Sequence, residues 1–440
     1  MCKTTLKIKK RPGYPGPFYL CQHTNGFTLM KNCYNLAVIG FNMVRYCLLL
    51  INLILPSLVF CQLQLKGMVL GEEKKPVPKA SIFLNNTSIG TASKDDGHFE
   101  LSIPTGKFEL IVSSVGYETF SQVISASSPS FITIQLTPKI PILETVVVEP
   151  FEKNGWEKWG RFFIENFIGT TSYARDCKLK NPGVLRFKHS KKNNELTVVA
   201  LEPLIIENRA LGFTVQYQME TFTYNFRSRY LVYAGYPFFK PMSGGTAKQK
   251  KWNSNRKEVY YGSMMHFMRS VYRNDILENG FEVRPLQKVV NAEKQRVKAI
   301  YPSKILYDGN LKLNLPKDSS EYYSSVMAQP DQFDVAGGII SGDGIAYAVD
   351  DFNAGMDFPH YLMVTYKPRV APVEYRKLFP QNSHAMMSQI TLVNGRPIEI
   401  QANGMYYNPM ELLSLGYWSW SEKMAAMLPL DYWPTSDKPK

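Results

Sequence analysis

The chain has 440 residues, of which 45% are hydrophobic and 13% aromatic, so it is long and apolar enough for two or three packed domains and is not a disordered chain. The formal net charge is +14, but residues 1–61 contribute +7 of it, leaving 44 bases against 37 acids in the remainder. We interpret this modest excess as a solvated surface. Because no basic stripe with interleaved aromatic residues is evident, the sequence argues against nucleic-acid binding.

Residues 1–61 are predicted to be a leader that contains a signal peptide. Arg45 precedes an apolar run from Cys47 to Phe60, and a cleavage site is expected before Gln62. We expect translation to begin at Met43, because the Lys-, Pro- and Gly-rich residues before it make an unusual leader. The sequence therefore predicts an exported protein, located in the periplasm or associated with the outer membrane.

Two alternatives to a cleaved signal peptide are less favoured. A retained transmembrane anchor is one, but the apolar run is short and contains Asn52 and Pro56. A lipoprotein anchored through Cys61 is the other, but Phe60 stands where such motifs have a small residue. Five of the six cysteines fall in this leader, so Cys177 has no internal disulfide partner and is interpreted as a structural thiol.

The stretch from Gly90 to Tyr117 has the pattern of β-strands joined by tight turns. Phe99, Leu101 and Ile103 alternate with polar residues, as expected for a strand with one buried face. We expect a hairpin at Asp96-Gly97, and further turns with structural roles for Gly106 and Gly116. Similar alternation before and after this stretch predicts about seven short strands between residues 62 and 138.

The order of these parts resembles the carboxypeptidase-regulatory-like domain, a small transthyretin-like β-sandwich common in exported proteins of the Bacteroidetes. The residues that carry the resemblance are Gly67-Met68-Val69, Val77–Ile82, Gly90-Thr91, Asp96–Phe99, Ile103–Gly106 and Val115–Tyr117. In that family the domain is an accessory module attached to peptidases or outer-membrane receptors. The resemblance therefore implies a fold of the immunoglobulin or transthyretin type and brings no catalytic residue.

Residues 139–155 are predicted to be a proline-containing linker. Within it, Leu143–Val148 resembles the segment that follows such domains in TonB-dependent receptors, where Glu144–Val148 would pair with the energising protein by strand addition. A plain linker or a last strand on the sandwich is the favoured interpretation, because short valine-rich runs are common in β proteins.

Residues 156–435 are predicted to form a mixed α+β domain of unknown function. Apolar residues at helical spacing predict helices over Trp156–Phe167 and Tyr260–Val271, and a last helix is expected at Ser421–Met427. Alternation predicts strands, and Asn394-Gly395 predicts a hairpin. The predicted strands are Thr214–Tyr224, Tyr230–Tyr236, Val297–Tyr301, Tyr361–Tyr366, Gln389–Val393 and Pro397–Ile400.

The search for catalytic motifs is mostly negative. No histidine has a glutamate three residues later, so the zinc-binding motif of carboxypeptidases is missing from the sequence, and we predict no cofactor. One cluster could bind a hard cation through oxygen, although its spacing matches no calcium loop and a solvated acidic loop is the favoured interpretation. Its members are Asp343, Asp350, Asp351, Asp357 and His360.

The sequence thus predicts a mostly β chain, in which an N-terminal β-sandwich precedes an α+β domain. We expect an exported protein that acts by binding in the cell envelope, with an envelope protein or a carbohydrate as partner and possible association with the outer membrane. Two alternatives stay open: an envelope hydrolase, peptidase or glycan-active, and a TonB-linked accessory component. A pocket converging on two or more of His266, Asp350, Asp351 and His360 would favour the hydrolase.

Overall fold

The computed structural model describes residues 63–125, 128–139, 150–300, 317–380, 384–407 and 409–434. The predicted leader, with Met43 and Cys61, and the segment Glu144–Val148 lie outside these ranges. In the described ranges the chain is mostly β, with strands first and a mixed α+β region after them, which confirms the predicted fold class.

Residues 63–135, as far as the structure describes them, form seven strands in two sheets. The strands are β1 Leu63–Leu70, β2 Ser81–Leu84, β3 Gly90–Ala92, β4 His98–Ile103, β5 Lys107–Ser113, β6 Phe120–Ser125 and β7 Phe131–Gln135. Sheet A has the order β4-β1-β7, with β7 parallel to β1, and sheet B has the order β3-β2-β5-β6. The strands are short and turn-bounded because their alternating residues have one face to bury.

The inner faces of the two sheets pack together as a sandwich. Their buried residues form one apolar cluster, which includes Leu65, Val69, Ile82, Leu84, Phe99, Leu101, Ile103, Leu110, Val112, Ile124 and Ile134. Burial of this cluster is the main stabilising contribution that the sandwich makes for itself.

The predicted turn at Asp96-Gly97 is present, but it does not form a hairpin between paired strands. Gly97 has a φ of 79°, and its amide donates to the carbonyl of Lys94 at 2.9 Å. The flanking strands β3 and β4 belong to different sheets, so the turn carries the chain from sheet B to sheet A. The hairpin prediction was wrong because turn residues fix the local geometry and not the pairing of the strands beside them.

The second part of the chain begins with helix α1, Gly155–Phe167, which packs on sheet C. Sheet C has the order β8-β11-β12-β10-β9, with β13 on the other side of the long strand β12. Its strands are β8 Cys177–Leu179, β9 Leu185–Ser190, β10 Glu195–Ala200, β11 Leu204–Asn208, β12 Phe213–Asn225 and β13 Tyr230–Pro241. The helical spacing of Phe163 and Phe167 places both rings in the core beneath this sheet.

In the described part of the chain, two further sheets and six helices follow. Sheet D has the order β15-β14-β18-β19-β21, and sheet E has the order β16-β17-β20. The strands are β14 Phe281–Val290, β15 Gln332–Ala336, β16 Ala346–Ala348, β17 Asn353–Met356, β18 Tyr361–Val370, β19 Ala385–Leu392, β20 Ile398–Gln401 and β21 Leu412–Gly416. The helices are α2 Thr246–Tyr260, α3 Met264–Arg273, α4 Ala292–Ile300, α5 Lys317–Ala328, α6 Val373–Leu378 and α7 Tyr417–Ser421.

Helix α3 is held by a buried arginine. The guanidinium of Arg269 is fully buried and donates to the carbonyls of Asn403, Leu430 and Tyr432 at 2.9, 3.0 and 3.0 Å. It also stacks on Trp433, 3.6 Å from the ring centre. A charge in the interior is tolerated here because several acceptors satisfy it, and in return the guanidinium fixes the last described segment of the chain.

Three secondary-structure predictions in the second part were wrong. Residues predicted as the strand Val297–Tyr301 belong to helix α4 as far as Ile300, because charged residues in this segment also fit a helix. Asn394-Gly395 does form a turn, but β19 and β20 enter different sheets. The expected helix Ser421–Met427 is replaced by α7 and the 3-10 turn Met424–Ala426.

Candidate functional site

The residues proposed from sequence as metal ligands do not converge. Asp343 lies in the 3-10 turn Gly342–Gly344 and accepts a hydrogen bond from the Ser341 hydroxyl, and Asp351 is exposed. Among the described residues, no group of three or more His, Cys, Asp or Glu side chains is placed to hold a metal ion. The metal hypothesis therefore stays a sequence-level prediction.

Asp350 instead links two parts of the chain. Its carboxylate accepts from the amides of Phe352 and Asn353 at 2.8 and 2.9 Å, which closes the turn after β16. The same carboxylate lies 2.7 Å from the amino group of Lys107 in the sandwich. Lys107, together with these amide donors, holds the pKa of Asp350 well below its usual range. Asp350 is thus an anchoring group for the sandwich.

His360 lies in a surface pocket of about 390 Å³, apart from Asp350. The pocket is formed by the loop after β17 and the turn after β19, and it is lined by Asp357, Phe358, Pro359, His360, Thr391, Leu392 and Gly395. Its volume suits a small ligand. His360 and Asp357 are its titratable residues, and neither His266 nor Asp351 lines it.

His266 is buried in helix α3 among aromatic rings. Its Nδ1 accepts from the amide of Gly262 at 3.2 Å, and its Nε2 lies 3.2 Å from the amide oxygen of Asn279. Both ring nitrogens have partners, which fits a core histidine better than a free base. Cys177 is half-buried, and burial raises the pKa of its thiol to about 12, so it is a poor nucleophile.

A partly buried carboxylate that the sequence did not single out is Glu422, at the end of α7. One of its oxygens accepts from the amide of Met264, the first residue of α3, at 3.1 Å. Burial raises the pKa of Glu422 to about 7 even though this hydrogen bond lowers it. Part of the side chain stays exposed to solvent.

Two tyrosines interact with Glu422. Tyr233 donates its hydroxyl to the backbone carbonyl of Glu422 at 3.3 Å. Burial and the neighbouring Glu422 carboxylate raise the pKa of Tyr406 to about 12. These residues come from β13, from the turn after β20 and from the segment after α7, so no sequence motif could have revealed them.

The largest relationship that the sequence missed is the contact between sandwich and α+β region. Phe83 of β2 and Ile111 of β5 point away from the sandwich core and form a buried apolar cluster with Phe238 and Tyr236 of β13. Strands β2 and β5 of sheet B are therefore buried on both faces at this point. The sequence signal is the uninterrupted apolar triplets Ile82-Phe83-Leu84 and Leu110-Ile111-Val112, because strands covered on both sides lack alternation.

The turn between β2 and β3 forms hydrogen bonds with two segments of the α+β region. On one side, the amide of Asn86 donates to the carbonyl of Pro237 at 2.9 Å, and the amide of Phe239 donates to the carbonyl of Thr87 at 3.0 Å. On the other side, the amide of Leu430 donates to the carbonyl of Asn86 at 2.7 Å. The carboxylate of Asp431 accepts from both the amide and the hydroxyl of Ser88. We call Asn86–Ser88 the clamped turn.

The clamped turn, the aromatic cluster and the Lys107–Asp350 pair all join the same two parts of the chain. Residues Gln62–Lys440 form one compact unit as a result. The predicted boundaries, with a sandwich at 62–138, a linker at 139–155 and an α+β domain at 156–435, stay a prediction about independent folding.

Comparison with known proteins gives a family match over the sandwich. Residues 65–148 match the CarboxypepD_reg-like domain. A TonB-dependent receptor, P39, of Formosa agariphila is 30% identical over 87 residues, which are 20% of this chain and 8% of the receptor. The match thus spans less than a tenth of the receptor's length.

Comparison of the fold with solved structures gives low TM-scores. A DUF3823 family protein from Bacteroides ovatus is 12% identical, with 42% of this chain and 83% of that chain covered and a TM-score of 0.15. The TIE protein of Bacillus anthracis is 13% identical, with 41% and 32% covered and a TM-score of 0.15. Neither likeness supports an inference at such scores.

Within the described ranges, every helix is too short or too polar to span a membrane. The two-sheet architecture, the positive φ of Gly97, Gly106 and Gly116, and the match over residues 65–148 agree with one another. The N-terminal sandwich of this chain is a CarboxypepD_reg-like domain, and an α+β region is packed against it.

Proposed function

We propose that this protein is an exported accessory protein of the cell envelope that acts by binding, with its sandwich fixed on the α+β region. The observation that carries the proposal is the burial of strands β2 and β5 on both faces. A domain that is packed in this way does not move independently of the α+β region. The match to part of a TonB-dependent receptor supports the envelope location and a possible association with the outer membrane.

We infer that the outer face of sheet A meets a partner, because the α+β region covers β2 and β5 on the other side of the sandwich. The outer face of sheet A carries exposed polar side chains, namely Gln64, Lys66, Glu100, Ser102, Thr133 and Gln135. Phe131 on the same sheet is 52% exposed. Polar residues around an exposed aromatic ring are typical of surfaces that bind proteins or carbohydrates.

Photo-crosslinking from two positions tests this proposal. A photoreactive residue at Thr133 should give a crosslinked envelope partner in intact cells, whereas one at Ile111 should give crosslinks only within the chain. Partner crosslinks from Ile111, or none from Thr133, would contradict the proposal. Export is tested separately by Leu49→Arg, which should leave precursor in the cytoplasm because a charge opposes insertion of the apolar run.

An envelope hydrolase is the second candidate, and Glu422 is the observation in its favour. A carboxyl group whose pKa is raised to about 7 is suited to general acid–base chemistry. Turnover of an envelope glycan or peptide that is lost in Glu422→Gln, with the unfolding transition unchanged, would support this candidate. Crosslinking from Thr133 does not depend on that result.

A further inference from the structure

The positive charge of residues 62–440 is concentrated and not interspersed. Residues 221–257 contain eight bases and no acid, and their +8 exceeds the +7 excess of the whole segment 62–440. Most of these bases belong to helix α2, Thr246–Tyr260, or lie directly before it.

The inner side of α2 is fixed against the loop after β11. Trp252 is buried and donates its indole N–H to the carbonyl of Arg209 at 2.9 Å. Arg256 donates to the carbonyl of Leu211 at 2.7 Å, so its charge is used within the protein. These contacts determine which side of the helix is left outside.

The outer side of α2 is cationic. Lys250, Lys251 and Lys257 are exposed there, and none of them forms an ion pair with another described residue. Lys248 is also exposed, but it precedes the buried Trp252 by four residues and so lies on the opposite side of the helix. Lys250 and Lys257 are seven residues apart, so they lie along one line of the helix surface, and Lys251 lies beside it. The first acid, Glu258, lies beside the Tyr173 hydroxyl, and burial together with this carboxylate raises the pKa of Tyr173.

Stability of the helix does not explain this charge pattern. Three of the lysines fall in the first six residues, where the positive end of the helix dipole disfavours cations. Residues that break a local rule without a structural gain are expected at functional surfaces.

We propose that α2 is a membrane-surface contact, in which Lys250, Lys251 and Lys257 bind the anionic headgroups of a lipid bilayer. A planar array of phosphates suits the convex, cationic face of a helix. The large apolar residues of α2 are not exposed, so the contact is electrostatic and lies on the surface without insertion. The face also lacks the exposed aromatic rings that stack on nucleic-acid bases.

Vesicle co-sedimentation tests the proposal. The purified protein should bind vesicles of phosphatidylcholine with phosphatidylglycerol, should bind pure phosphatidylcholine weakly, and should be released by salt. Replacing Lys250, Lys251 and Lys257 by Ala should weaken binding to the anionic vesicles by about 100-fold, since each lysine contributes about fivefold.

A matched control removes the same charge elsewhere. Lys153, Lys191 and Lys192 are exposed, and replacing them by Ala should change vesicle binding by less than about twofold. Equal effects of the two triple variants, or equal binding to neutral and anionic vesicles, would overturn the proposal. The proposal would also be overturned if the α2 lysine variant lost its capture by an acidic protein but still bound the anionic vesicles.

The inference takes its cellular setting from the envelope location proposed above. The vesicle measurement uses purified protein, so its failure leaves the crosslinking result at Thr133 intact. Conversely, vesicle binding through α2 would stand even if no partner were crosslinked.

Discussion

The rings of Phe83 and Phe238 are stacked, with their centres 5.0 Å apart and their planes inclined by 19°. Phe83 is in the sandwich and Phe238 is in β13, and both are almost fully buried. This pair closes the layer between sheet B and sheet C. The CarboxypepD_reg-like domain therefore contributes to the stability of the α+β region as well as to its own.

We expect Phe238→Ala to lower the free energy of unfolding by about 3 kcal/mol, because it removes a buried ring and leaves a cavity beside Phe83. Urea unfolding followed by tryptophan fluorescence measures the effect. Val123→Ala is the control, since Val123 is 55% exposed and its truncation should change stability by less than about 0.5 kcal/mol. Similar effects of both changes would show that the aromatic contact does not stabilise the protein.

A second prediction concerns the turn glycines Gly97 and Gly116, which have φ values of 79° and 85°. A Cβ on Gly97 would lie 2.7 Å from the carbonyl oxygen of Val69, whereas a Cβ on Gly116 would meet nothing within 4 Å. We expect Gly116→Ala to cost about 1 kcal/mol through backbone strain, and Gly97→Ala to cost about 2 to 3 kcal/mol because the clash is added. Equal melting temperatures of the two variants would contradict this account.

The sequence predicted the parts of the fold that depend on local pattern. Helix α1 and the strands β12 and β13 follow from spacing that is visible in the residues themselves. Strand pairing was not predictable in the same way, because the turns at Gly97 and Gly395 fix a local conformation and leave the partner strand open.

The candidate sites were less predictable than the fold. Asp350 belongs to an acidic loop in sequence, yet its carboxylate is used by Lys107, which lies far away in the chain. Glu422 has no motif, and its raised pKa depends on burial that only the folded chain provides. The docking face was visible as the apolar triplet around Phe83, but this triplet reads equally well as an ordinary strand core.

A third prediction concerns pH. The pKa of Glu422 is raised from 4.5 to about 7, so the native state binds this proton more tightly than the unfolded state. The resulting stability is fully present below about pH 4.5 and is lost as the pH rises through about 7.

We therefore compare the free energy of unfolding at about pH 5 and about pH 8. Between them the wild-type protein should lose on the order of 2 kcal/mol more of this free energy than Glu422→Gln, after allowance for the partial exposure of Glu422. Urea unfolding of both proteins across this range measures the difference. Glu118→Gln, at an exposed glutamate, should follow the wild-type pH dependence. A Glu422→Gln profile parallel to that of the wild type would contradict the assignment.

The last prediction concerns the connector between the two parts of the chain. Pro138, Pro141 and Pro150 cannot donate to a sheet, and we expect limited proteolysis to cut first between Thr137 and Trp156. The sandwich has its own core, so both fragments should resist further digestion.

The contacts between the sandwich and the α+β region make a further prediction, namely that the two fragments stay associated after the connector is cut. The clamped turn and the Phe83–Phe238 stack should hold the two fragments together, so that they elute as one species in size-exclusion chromatography until urea is added. In Phe238→Ala the fragments should separate more easily, because the apolar cluster is lost while the cut site is unchanged. Two outcomes would show that the sandwich is not fixed on its neighbour. One is a first cut after Trp156, and the other is separation of the two wild-type fragments without denaturant.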